Sequence, residues 1–133
     1  MMTGNSDYFE NCDKLPQNIS DAAKAAYAYI AAVSHQQLTC DTQGRWFVKT
    51  SNFATLKPQW KRAKSLAVTL RGNPNEFEET TELTLQADQN GYSICKLESP
   101  EQIASLFVYL KRAQSLFEKG SQRKQTSPKT VES

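Results

Sequence analysis

The sequence predicts an α+β domain: an antiparallel sheet of four or five strands with an N-terminal and a C-terminal helix on one face. Three observations carry that prediction. The run Asp21 to Ser34, DAAKAAYAYIAAVS, is strongly helix-forming because alanine loses no side-chain entropy on ordering. The middle of the chain holds short apolar runs that alternate with a period of two and are separated by turn residues. Near the end, Ser99, Pro100 and Gln102 form a capping box with proline at the first helical position, ahead of a second apolar stripe.

Each element follows in order. Pro16, then Asn18 or Ser20, signals the start of the first helix, and Ala23, Ala26, Tyr27, Ile30 and Val33 fall three or four apart on one face. Small alanines there would let the helix lie close against a sheet. After a polar stretch ending in Gly44, Arg45 to Thr50 reads as a strand, and Phe53, Ala54 and Leu56 continue the sheet after a bend at Ser51-Asn52. Pro58 cannot donate to a ladder, so no central strand is expected beyond it. In residues 65 to 70, Leu66, Val68 and Leu70 alternate with Ser65, Ala67 and Thr69, until Gly72-Asn73-Pro74-Asn75 forces a turn. Thr81, Leu83 and Leu85 alternate again, and Asn90-Gly91 closes a hairpin over 82 to 97. The final helix carries Ile103, Leu106, Phe107, Leu110, Ala113 and Phe117 and is expected to end at Gly120.

These elements divide the chain into a flexible acidic arm over 1 to 17, one domain over 18 to 119 and a disordered tail over 120 to 133. The arm holds Asp7, Glu10 and Asp13 with few apolar groups, and the tail is rich in Ser, Thr and Lys. No stretch approaches the ~18 consecutive apolar residues of a membrane span. Three cysteines, odd in number and widely spaced, form neither a disulfide framework nor a zinc motif, so the expected setting is the reducing cytoplasm without a cofactor.

No catalytic constellation stands out. The single histidine, His35, falls at a helix end with no nucleophile motif beside it, and Glu76, Glu78, Glu79 and Glu82 read as a solvated acidic loop. The expectation is therefore a non-catalytic protein. Net charge is only +2, but its distribution is uneven: from Arg45 to Arg71 there is no Asp or Glu. Nucleic-acid binding needs cations for phosphates and flat rings for bases, and Arg45, Lys49, Lys57, Trp60, Lys61, Arg62 and Arg71 are the candidate binding residues. The strand residues Phe47, Phe53, Leu66, Val68 and Leu70 are better explained as core, which concentrates the functional expectation on residues 56 to 64. Nucleic acid, or a protein that handles it, is the expected partner. The change of sign after Arg71 equally fits a protein-interaction or assembly factor with no nucleic-acid role, including a homo-oligomer.

The aromatic strand ending in Asn52-Phe53-Ala54, the Lys57-Pro58-Gln59 break, the alternating strand to Leu70, Gly91-Tyr92 and the Ser99-Pro100 helix together resemble a known type of domain. It is a small bacterial domain of unknown function, found alone or at the C-terminal end of restriction-endonuclease-like or predicted transport proteins. A more distant likeness is to the double-wing MmcQ/YjbR domains. The resemblance covers about residues 45 to 117 and implies an α+β fold and an accessory, non-catalytic role in nucleic-acid or defence-related settings.

Overall fold

The computed structural model describes residues 4–61, 64–77, 82–88 and 91–126. Three helices pack on one face of a six-stranded antiparallel sheet, which confirms the α+β class and adds strands to the expected four or five. The elements are α1 (Gly4–Cys12), α2 (Gln17–Ser34), β1 (Thr39–Cys40), β2 (Trp46–Phe47), β3 (Ala54–Gln59), β4 (Ser65–Arg71), β5 (Gln86–Ala87), β6 (Tyr92–Leu97) and α3 (Ile103–Thr126). Spatial order across the sheet is β1-β2-β3-β4-β6-β5. The extra strands are the two-residue edges β1 and β5, too short to show any alternation in sequence.

The N-terminal arm is corrected to a packed helix. Tyr8 and Cys12 stand at i and i+4 on one face of α1, and both are buried, as is Leu15 in the turn that follows. The Tyr8 hydroxyl donates to the Ala23 carbonyl at 2.7 Å, and its ring meets Tyr27 and Trp46 at centroid distances of 4.9 and 5.6 Å. Three acidic residues in this segment masked an apolar face that needs only one residue per turn. Pro16 then separates α1 from α2, and the alanines Ala22, Ala23 and Ala26 are buried where α2 meets its neighbours. At the other end of α2, His35 adopts the left-handed conformation as the C-cap, and its N–H donates to the Ala31 carbonyl.

The strand expected from Arg45 to Thr50 shortens to Trp46–Phe47, because Lys49–Ser51 forms a single 3-10 turn. β3 runs through Pro58 to Gln59, contrary to the expected stop. The one β2–β3 partner pair is Trp46 with Leu56, so beyond Leu56 β3 is hydrogen-bonded on its β4 side alone and the missing proline N–H is tolerated. β4 pairs with β3 from Ala54↔Leu70 to Gln59↔Ser65, and with β6 from Leu66↔Leu97 to Arg71↔Tyr92. Ala54, Leu56, Leu66, Val68, Leu70, Cys95 and Leu97 point inward to a single core, completed by Ile19, Ile30, Leu106 and Tyr109 from the helices. Thr55, Lys57, Thr69, Ile94 and Lys96 therefore occupy the opposite face, which no helix covers.

The Ser99–Gln102 capping box is present and leads through a 3-10 turn into α3. α3 continues past Gly120 to Thr126, so the expected stop at Gly120 and the start of a tail there are corrected. Glycine weakens a helix by about 1 kcal/mol relative to alanine, and the Gln, Arg and Lys that follow are good helix formers. Residues 127 to 133 lie outside the described residues. Among the described residues no helix is long and apolar enough to cross a membrane.

Candidate nucleic-acid interface

β3 alternates inward Leu56 with outward Lys57 and ends at Gln59, which delivers Trp60 and Lys61 to a turn at the corner of the sheet. Trp60 is half-buried with its ring against the rim of the core. The Lys14 ammonium lies 3.9 Å from the centre of that ring and the Lys61 ammonium 5.2 Å from it. Both are cation–π contacts, which hold the ring and two positive charges in one place. Beside them is an open depression of about 420 Å3, lined by Asn11, Gln43, Lys57, Gln59, Trp60 and Lys61.

The seven residues predicted from sequence do not form one surface. Lys57, Trp60 and Lys61 come together at this corner. Arg45 is adjacent across the Gln43-Gly44 turn, but its charge is engaged. Asp41 Oδ1 accepts from the backbone N–H groups of Gln43 and Arg45, at 2.9 and 3.0 Å, and Oδ2 accepts from Arg45 Nε at 2.9 Å. The Arg45 N–H, helped by the Gln43 N–H and the Arg45 guanidinium, holds the Asp41 carboxyl below its usual range against the opposing effect of desolvation. Asp41, four residues upstream, thus engages the charge of the first member of the basic stretch. Lys49 and Arg71 sit at the opposite end of β3, beside Phe53 and Ala54. Six strand residues at about 3.3 Å each separate them from Trp60. There the Arg71 guanidinium lies 5.3 Å from the Phe117 ring. Arg62 lies outside the described residues.

Lys14 and Asn11 are the members of the corner that the sequence concealed. They belong to the segment read as an acidic arm, and no spacing within it points to Trp60, which is 46 residues from Lys14 and reached only through tertiary packing.

Nucleophilic chemistry has little to work with among the described residues. Burial pushes the Cys95 thiol up to about 12, and burial likewise raises Cys12 to about 12 despite the Tyr8 hydrogen bond and Lys24 acting in the other direction. Both stay protonated at neutral pH, and the thiolate is the reactive form. Cys40 is the exposed one of the three. In the native protein an alkylating reagent at pH 8 should modify one thiol per chain, at Cys40, and all three only after denaturation. Mass spectrometry of the labelled protein reads the count directly. No group of three or more His, Cys, Asp or Glu side chains among the described residues is arranged to hold a metal ion.

Set against family models, curated proteins and solved structures, the chain matches none, and the Trp60 corner stands on its own geometry.

Proposed function

We propose that the chain is a non-catalytic accessory binding module that contacts nucleic acid through the Trp60 corner. One observation carries the reading: Lys14, Lys57 and Lys61 gather around a half-exposed tryptophan with no carboxylate within salt-bridge distance among the described residues. The two ion pairs of the described chain, Lys24–Asp13 and Arg45–Asp41, use other cations. Unpaired ammonium groups beside a flat ring match a phosphate chain carrying bases, since each phosphate contact releases a counterion and each ring offers a stacking face.

The chain carries its own reporter. Trp46 is only 3% exposed, so a ligand at the corner quenches Trp60 alone of the two tryptophans. Titration with a labelled oligonucleotide should show that quench, and three lysine–phosphate contacts give a log–log salt slope of about −2 to −3. Affinity then falls about twenty- to forty-fold between 50 and 200 mM salt. The double variant Lys57→Glu, Lys61→Glu should abolish binding while its melting temperature stays close to that of the parent. Binding that ignores salt, or none at low salt, removes the nucleic-acid reading in favour of a protein partner.

A further inference from the structure

On the uncovered face of the sheet, next to the Trp60 corner, lies a second depression of about 250 Å3. Its floor is Thr55 and Thr69, cross-strand partners on β3 and β4. Half-buried Phe47 on β2 stands on one side of this floor, and half-buried Tyr92 on β6 on the other, three strand spacings of about 4.8 Å apart. Asp41 and Asp88 contribute carboxylates, and Asp88 has no side-chain hydrogen bond or ion pair among the described residues. The Gln43–Arg45 turn joins this depression to the Trp60 corner: Arg45 lines the first, Gln43 and Gly44 the second.

We infer that this sheet face binds single-stranded RNA, with bases laid on Phe47 and Tyr92 and the phosphates leaving past Lys57 toward Lys61 and Lys14. The inference rests on the nucleic-acid reading and names the form of its ligand. A duplex buries the faces of its bases and has no free ring to offer Phe47 or Tyr92, whereas an unpaired strand presents every base to a flat sheet. Charge is complementary along the path. The unpaired lysines lie at the corner, where a phosphate chain is accommodated, and the carboxylates lie over the floor, where phosphates are not. The floor is rich in acceptors, and RNA brings a hydroxyl donor with every nucleotide where DNA brings none. Asp88 and the threonine hydroxyls are the groups placed to accept it.

The test uses the whole chain and one non-self-complementary strand of twelve nucleotides, as RNA, as DNA and as the RNA annealed to its complement. The single RNA strand should bind at least about five-fold more tightly than either of the others. Phe47→Leu and Tyr92→Leu should each weaken it by about five-fold or more, the lower range for loss of one stacked base. Amide resonances of Phe47, Thr55, Thr69 and Tyr92 in the unaltered protein should shift on addition of the strand, which needs no variant to fold. Equal affinity for duplex or for DNA, or shifts confined to residues 57 to 61, overturns the inference and leaves the lysine corner as a general polyanion site. Absence of binding to all three at low salt removes the nucleic-acid reading itself.

Discussion

Replacing Tyr8 with alanine should destabilise the protein by about 3–5 kcal/mol, the range for deleting a fully buried aromatic side chain. Tyr8 is 0% exposed and joins α1 to the rest of the molecule in three ways: its hydroxyl donates to the Ala23 carbonyl, its ring packs on Tyr27, and its edge meets Trp46. Burial also raises its phenol pKa well above the ordinary value, which favours the neutral, hydrogen-donating form. Tyr8→Phe isolates the hydrogen bond and should cost about 1 kcal/mol. Urea denaturation of the two variants against the parent measures both. A loose acidic arm would give no change in either. Because Asn11 and Lys14 come from the segment that Tyr8 anchors, Tyr8→Ala should also weaken any ligand of the Trp60 corner without touching it.

Gly72→Ala should be the most damaging single-methyl change in the described chain, at about 3 kcal/mol. Gly72 has φ +121°, a conformation that an L side chain resists, which alone costs about 1–3 kcal/mol. A Cβ there would also lie 2.6 Å from Leu116 Cδ1 and 3.0 Å from Phe77 Cε1, so the end of the Leu116 side chain and the Phe77 ring must give way at a further cost. The backbone around it is fully used, since Gly72 N–H donates to the Gly91 carbonyl and its own carbonyl accepts from Ser93 Oγ, both at 2.7 Å. Gly91→Ala is the control. Its φ of +83° carries conformational strain but nothing lies within 4 Å of the added carbon, so about 1 kcal/mol is expected. Thermal melting of the two variants separates crowding from backbone strain, and equal losses would show that the contacts to Leu116 and Phe77 relax freely.

The parts of this fold that were legible in sequence are those whose signals are local. The alternation of Leu66, Val68 and Leu70 produces β4, Gly91-Tyr92 opens β6, and Ser99 with Gln102 caps the start of α3, each within a few residues. The parts that were not legible are tertiary. α1 is helical chiefly because Tyr8 finds buried partners 15 or more residues away, and a helix of nine residues has too few bonds to form alone. The site divides in the same way. Lys57, Trp60 and Lys61 are near neighbours in the chain and stay together, whereas Lys49, in the 3-10 turn before β3, and Arg71, the last residue of β4, lie at the far end of β3. Asp41 lies four residues upstream of Arg45, just outside the acid-free stretch that its charge offsets.

The two outermost strands, β1 and β5, have two residues each. A sheet edge is a row of unpaired donors and acceptors, and its capacity to template another chain grows with the number of consecutive free groups. Two residues offer too short a ladder to seed a fibril or a swapped strand. β4 is enclosed along nearly its whole length by β3 and β6, and the part of β3 that β2 leaves unpaired contains Pro58, which has no N–H to offer, so the helix-free face of the sheet is kept without a long continuous edge for copies of the chain to pair with.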